Sequence, residues 1–309
     1  MTLDDLNSRF GIGTGNNEQL KFIDGPNGLV FAEIDNALGT AYICLQGAHI
    51  TTFRPKDQVE PVIWVSKFAK FALGKSIRGG APVCWPWFGA HATESSFPGH
   101  GFARTVMWEV THSAALPTGE TEITLALLEN EQTHAQWPNK TRVELNVIVG
   151  KSLKASLNTT NLGDTPVQIG EALHTYFQIS DIQDVQVTGL ENTAYVDKVG
   201  EIGTPATRRT QDGAVTFSGE VDRVYVDTAA TCVIIDPGFK RKIVIAKTGS
   251  RSTVVWTPWN EKADKMGDFG PDGWRGMVCV ESVNALENVV TVAAGETHRM
   301  AVEYSAEAL

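Results

Sequence analysis

The feature that most constrains this chain is a two-residue alternation of apolar side chains. Val143, Leu145, Val147 and Val149 recur at every second position, and after the Gly150-Lys151 turn Leu153, Ala155 and Leu157 do the same. Successive side chains of a strand point to opposite faces, so this period gathers the apolar groups on one side of a β-hairpin. Ile123, Leu125 and Leu127 form another such strand, and His298, Met300, Val302 and Tyr304 alternate near the end. Shorter β-rich runs are predicted at Leu29–Ile34, Thr40–Leu45, Cys232–Ile235, Ile243–Ala246, Thr253–Trp256 and Met277–Val280, separated by Gly, Pro, Asn and Asp. Helical signals are confined to Asp4–Phe10 and Glu131–Trp137. Many strands with turn residues between them and no long helix predict an all-β fold, a large antiparallel β-sandwich or barrel. No linker, composition shift, low-complexity segment or internal repeat divides the chain, so residues 1–309 are expected to form one domain.

The 309 residues are 42% hydrophobic, enough for a large core. A net charge of −10 disfavours nucleic acid and anionic membrane as partners, and an anionic ligand would need a local cluster of cations. The four cysteines, Cys44, Cys84, Cys232 and Cys279, are far apart and set among apolar or aromatic residues, which reads as reduced buried thiols. The acidic N-terminus lacks the regions of a signal peptide, and no apolar run reaches the ~18 residues of a membrane helix, so a cytoplasmic protein is expected. The triplets beginning at Asn139 and Asn158 then read as chance matches to the glycosylation pattern.

Two ionisable residues sit at the ends of apolar runs. His174 lies in Glu171-Ala-Leu-His-Thr-Tyr-Phe177, and Glu281 follows Met277-Val-Cys-Val280. Desolvation there raises a carboxylate's pKa toward neutrality, where proton transfer is most effective, and lowers a histidine's, which makes its imidazolium a stronger acid. His174 alone reads equally as a satisfied core histidine; a buried glutamate is rarer without a function. Two segments dense in Trp, Gly and Pro break the strand rhythm: Lys75–Gly89 continuing to Pro98–Arg104, and Trp256-Thr-Pro-Trp259 with the polar stretch to Trp274. Arg78 precedes Gly79-Gly80, and Arg104 closes Gly99-His-Gly-Phe-Ala-Arg104, a pattern suited to an anion; pairing of each with a surface carboxylate is the alternative. His100 reads first as an exposed loop histidine and second as a donor to a ligand. Trp85 and Trp87 read first as core and second as a sugar-stacking wall. Asp222 either ligates a hydroxyl or pairs with Arg223. The glycines at Gly11–Gly15 lack a preceding strand and the spacing of a dinucleotide loop. No phosphate loop, His-Glu-x-x-His, Cys-x-x-Cys or Gly-x-Ser-x-Gly occurs, and the seven histidines are scattered, so no metal site or cofactor is expected.

Taken in order, Arg78-Gly-Gly-Ala-Pro82, Pro98-Gly-His-Gly-Phe-Ala-Arg104, His174-Thr-Tyr-Phe177, Val221-Asp-Arg-Val-Tyr225, Trp256-Thr-Pro-Trp259 and Met277-Val-Cys-Val-Glu-Ser-Val-Asn284 form a recognisable set. The chain resembles the hexose-6-phosphate mutarotases, or glucose-6-phosphate 1-epimerases, of the aldose 1-epimerase (galactose mutarotase-like) superfamily, over about residues 25 to 305. The resemblance implies a β-sandwich with its active site in a cleft on a concave sheet; a monomer acting on a small sugar phosphate is expected, with no cofactor because nothing is oxidised or transferred. It makes His174 the general acid and Glu281 the general base, places Arg78 and Arg104 at the phosphate, and sets His100 and Asp222 around the sugar. A neutral aldose such as galactose, or carbohydrate binding without catalysis, is the alternative. One position departs from the pattern: some members carry glutamine where this chain has Gly99.

Overall fold

The alternation is realised as two large antiparallel sheets packed face to face. The computed structural model describes residues 1–199 and 207–309. A backing sheet runs in spatial order Gln186–Thr188, Cys232–Asp236, Arg241–Thr248, Thr297–Ala308, Leu153–Asn161, Thr141–Val149, Thr121–Leu127 and Trp108–Ala115. Leu145 stands opposite Leu157, Val147 opposite Ala155 and Val149 opposite Leu153, all buried, which is the register the hairpin pattern predicts. Each such buried Leu or Val contributes about 1.5–3 kcal/mol.

The second large sheet carries the functional residues. Its order is Thr207–Thr210, Ala194–Asp197, Val221–Tyr225, Ser252–Thr257, Met277–Asn284, Glu171–Leu173 and Val83–Cys84, and Tyr176–Gln178 also pairs with Met277–Asn284. Ser252–Thr257 and Met277–Asn284 are buried at every position, because both faces are covered. One face meets the backing sheet: the Phe177 and Tyr304 rings lie edge to face at 5.0 Å, and the Thr175 and Tyr304 hydroxyls hydrogen-bond at 2.8 Å. Lys247 spans the same gap, donating to the Ser252 carbonyl and the Thr253 hydroxyl, and burial pushes its pKa down to about 8. Loops cover the other face, where Trp64 stacks on both Tyr176 and Phe269. Two smaller antiparallel sheets complete the described strands: Leu20–Asp24, Val30–Asp35, Gly39–Cys44 and His49–Pro55 form one, Val167–Ile169 and Val290–Val292 the other. All four cysteines are free and buried.

The two expected helices are present. Leu3–Phe10 is opened by Thr2, whose hydroxyl accepts from the Asp5 amide while the Asp5 carboxylate accepts from the Thr2 amide; Glu131–Gln136 is capped in the same way by Asn130. A third, Trp259–Met266, was not expected. It follows Pro258 with no side-chain cap, buries only Ala263, and ends at Gly267 with φ 70°. Thr257-Pro258 ahead of it is a start signal, but no apolar stripe follows to mark a helix in the sequence. No helix among the described residues is long and apolar enough to cross a membrane.

Candidate active site

Glu281 sits in the middle of Met277–Asn284, opposite Val254 of the neighbouring strand, and not at the end of a buried run as its sequence suggests. Ser282, Val283 and Asn284 are buried beyond it. The run continues because Asn284 faces the other side of the sheet, where its amide and the His298 imidazole both bond Glu171 Oε1 at 2.8 Å. That network ties the short Glu171–Leu173 strand to its neighbour. The chain then turns, held by the His174 amide donating to the Pro82 carbonyl at 3.0 Å, and delivers His174 beside Glu281.

His174 Nε2 lies 3.4 Å from Glu281 Oε1; the glutamate side chain is 1% exposed and the imidazole 12%. The His174 ring stacks on Tyr176 at 5.1 Å and meets the edge of Trp256 at 6.0 Å. Burial drives the Glu281 pKa well above the usual carboxylate range, with Asp222 adding to the rise. Burial likewise drives His174 well below the usual imidazole range, assisted by the charges of His100 and Arg104. Glu281 Oε2 and His174 Nδ1 are both buried without a hydrogen-bond partner among the described residues.

The pair opens onto a cavity of about 350 Å³ whose wall includes all six sequence-predicted positions: Arg78, His100, Arg104, His174, Asp222 and Glu281. Arg78 donates to Asp268 at 2.9 Å and to the Tyr176 hydroxyl at 2.9 Å, and lies over the Phe269 ring. Of the five N–H donors of a guanidinium, these bonds use two. Arg104 differs: its guanidinium donates to the Gly99 carbonyl at 2.8 Å, and no carboxylate pairs with it among the described residues. His100 is not the exposed histidine its local sequence suggests. Its Nδ1 accepts from the Gly89 amide at 3.3 Å, which leaves Nε2 as the donor, and burial with Arg104 and Lys198 pushes its pKa down to about 3. Burial raises the Asp222 pKa against the pull of Lys198 and Lys262. Asp222 does not pair with Arg223: adjacent strand residues face opposite ways, and Arg223 donates to Gln211 at 3.1 Å.

Backbone conformation holds these loops. Gly101 has φ 70°, and a Cβ there would stand 1.9 Å from the Trp85 carbonyl oxygen; Gly80 has φ 72°, with a Cβ 2.2 Å from His49 Nε2. Gly99 is the opposite case. A Cβ there meets only the Gly89 oxygen at 3.9 Å, so a longer side chain has room.

Comparison with known proteins supplies the family. The model described as aldose 1-epimerase matches residues 31–305. The chain belongs to the aldose 1-epimerase family. A Cenchrus ciliaris protein named "putative glucose-6-phosphate 1-epimerase" is 35% identical over 275 residues, covering 86% of this chain and 81% of its own. A crystal structure from Salmonella typhimurium described as a "putative mutarotase" superposes with a TM-score of 0.87 at 29% identity, covering 99% of both chains. A galactose mutarotase related enzyme from Lactobacillus acidophilus shares the fold, with a TM-score of 0.71 at 15% identity over 90% of this chain and 97% of its own. The chain is accordingly an isomerase of the mutarotase type, on the galactose mutarotase-like sandwich.

Within this aldose 1-epimerase, sequence reasoning missed several cavity residues. Tyr176 and Trp256 form its aromatic wall, whereas Trp85 is fully buried and Trp87 packs on Phe97 and Phe102 with its indole N–H on the Pro98 carbonyl. Both wall residues stand inside motifs singled out above, so their positions carried a signal. Lys262 and Asp268 also line the cavity from the polar stretch before Trp274, which the sequence marked only as a segment, and Lys198 reaches it from outside every motif named above. Nor did spacing reveal that His174, Cys279 and Glu281 bring one potential metal-ligand atom each within 4.8 Å of one another.

Proposed function

We propose that this chain interconverts the α and β anomers of a hexose 6-phosphate by acid–base ring opening and reclosure. The observation that carries the reading is the His174–Glu281 contact at 3.4 Å on the wall of a 350 Å³ cavity. The two oxygens that exchange a proton in mutarotation, the C1 hydroxyl and the ring oxygen, share one carbon. An acid and a base serving them must therefore stand side by side, each within about 2.6–3.2 Å of its oxygen. The volume lies at the small end of the ~300–1,000 Å³ of ligand sites, which suits one sugar phosphate.

Glu281 takes the proton of the C1 hydroxyl while His174 donates to the ring oxygen; the C1–O5 bond breaks and the aldehyde forms. Rotation about C1–C2 exposes the other carbonyl face. Reclosure returns the His174 proton from the O5 hydroxyl and the Glu281 proton to O1. The pair carries one proton throughout, as carboxylate with imidazolium before opening and as carboxyl with neutral imidazole after it. Burial favours the second form, so ring opening discharges two poorly solvated groups. The orphaned Glu281 Oε2 is a natural acceptor for a sugar hydroxyl. Arg104, with no carboxylate partner among the described residues, is the main anchor for the phosphate, and Arg78 assists with its remaining donors. His100 and Asp222 hold the sugar hydroxyls. Binding energy from the remote phosphate then orients the reacting end.

The Arg78–Asp268 pair lowers the free positive charge of the cavity, which favours a neutral aldose as the second reading. Anomer-exchange NMR on glucose 6-phosphate, glucose and galactose separates them. Saturable exchange of the phosphorylated sugar at much lower concentration supports the proposal; preferential turnover of galactose overturns it.

A further inference from the structure

We infer that the reacting pair and Cys279 together form a site for a borderline-soft divalent cation such as Zn²⁺, whose occupancy switches the enzyme off. Cys279 and Glu281 are two residues apart on Met277–Asn284, so their side chains leave the same face of the strand. Tyr176 lies directly across from Cys279, and its ring stacks on His174, which closes the triangle. One donor atom from each of His174, Cys279 and Glu281 lies within 4.8 Å of the other two, and the His174–Glu281 edge is 3.4 Å. Bond lengths of about 2.0–2.1 Å to nitrogen and oxygen and about 2.3 Å to sulfur give tetrahedral edges of about 3.3–3.6 Å. The nitrogen–oxygen edge is thus already set, and the thiol has to close by no more than about 1 Å. Among the described residues Glu281, 1% exposed, keeps Oε2 without a partner, a buried acceptor of the kind a cation satisfies.

The donor set of one imidazole, one thiolate and one carboxylate selects Zn²⁺ or Co²⁺ over Mg²⁺ or Ca²⁺. The cavity lined by His174 and Glu281 gives the entry path, with Cys279 fully buried behind them. Coordination releases the thiol proton together with the single proton of the histidine–glutamate pair. Neither proton carrier is then free, so turnover stops. Loss of turnover rests on the acid–base reading above; metal binding rests on the geometry alone.

The test follows Co²⁺ titration of the full chain by absorption, alongside mutarotation with added Zn²⁺. The wild-type protein should show a thiolate-to-cobalt charge-transfer band that Zn²⁺ displaces, and activity should fall with Zn²⁺ occupancy and return with EDTA. Cys279→Ser should keep metal-free activity, lack the band, and need about tenfold or more Zn²⁺ for the same inhibition. Cys279→Ala serves if the serine variant is unstable. Absence of the band in wild type, or equal Zn²⁺ sensitivity of wild type and the cysteine variant, overturns the site. A band without loss of turnover upholds the site and instead refutes the acid–base assignment.

Discussion

Replacing Arg104 by alanine is the sharpest probe of substrate choice, because the two arginines of the cavity are not equivalent. Arg78 is committed to Asp268 and Tyr176, whereas among the described residues Arg104 is held only by the Gly99 carbonyl. A charge-assisted hydrogen bond is worth about 1.5–3 kcal/mol, and each ~1.4 kcal/mol is tenfold. Arg104→Ala should therefore lower kcat/KM for glucose 6-phosphate by about 10- to 150-fold. The field of Arg104 also holds down the pKa values of His174 and Glu281, so its loss shifts both upward. That shift acts on every sugar alike, and the ratio of kcat/KM between glucose 6-phosphate and glucose isolates the phosphate contact. Arg78→Ala adds a second effect, since it leaves the Asp268 carboxylate unpaired in the cavity wall to repel an anion. The assay is anomer exchange by NMR on both sugars at several pH values. An unchanged ratio in Arg104→Ala removes the phosphate role of that residue.

Further outcomes follow from the same geometry. The pH profile of kcat/KM for unphosphorylated glucose should be bell-shaped: activity falls at low pH when the pair gains a second proton and at high pH when it loses its only one. Because burial lowers His174 and raises Glu281, the acid limb should lie below the ordinary histidine value and the alkaline limb above the ordinary carboxylate value; a monotonic profile contradicts a one-proton pair. Gly101→Ala places a Cβ against the Trp85 carbonyl at φ 70° and should cost at least about 1–2 kcal/mol, seen as a lower thermal midpoint; a wild-type melt counts against that clash. Gly99→Gln has open space at its Cβ and should leave the melt unchanged while altering the ratio between hexose 6-phosphates, and loss of stability there contradicts the described loop.

Much of this was legible in the chain, for identifiable reasons. Strands with one buried face announce themselves by their period, so the Thr141–Asn161 hairpin and its register were readable. The six predicted site residues meet in one cavity because each stands in a motif whose glycines or apolar neighbours mark it. Other features depended on distant partners. Asp268 lies 190 residues from Arg78, and nothing near either residue reveals the pair. Glu281 read as the end of a run because Ser282 and Asn284 are polar, yet the second face of the sheet buries both and gives the Asn284 amide its partner in Glu171. His100 looked exposed because glycines flank it, while its burial comes from Phe88, with ring centroids 4.7 Å apart, and from the Gly89 amide. Trp259–Met266 carried too little apolar pattern to be seen at all.

The most direct measurement is anomer exchange of glucose 6-phosphate by Glu281→Gln, with binding of the sugar phosphate followed separately. The carboxamide keeps the size of the side chain but cannot take the C1 proton. Exchange should drop by about 10²–10⁴-fold, the usual contribution of a positioned base, while the ligand still binds. Near-normal exchange by this variant would show that the buried carboxylate facing His174 is not the base.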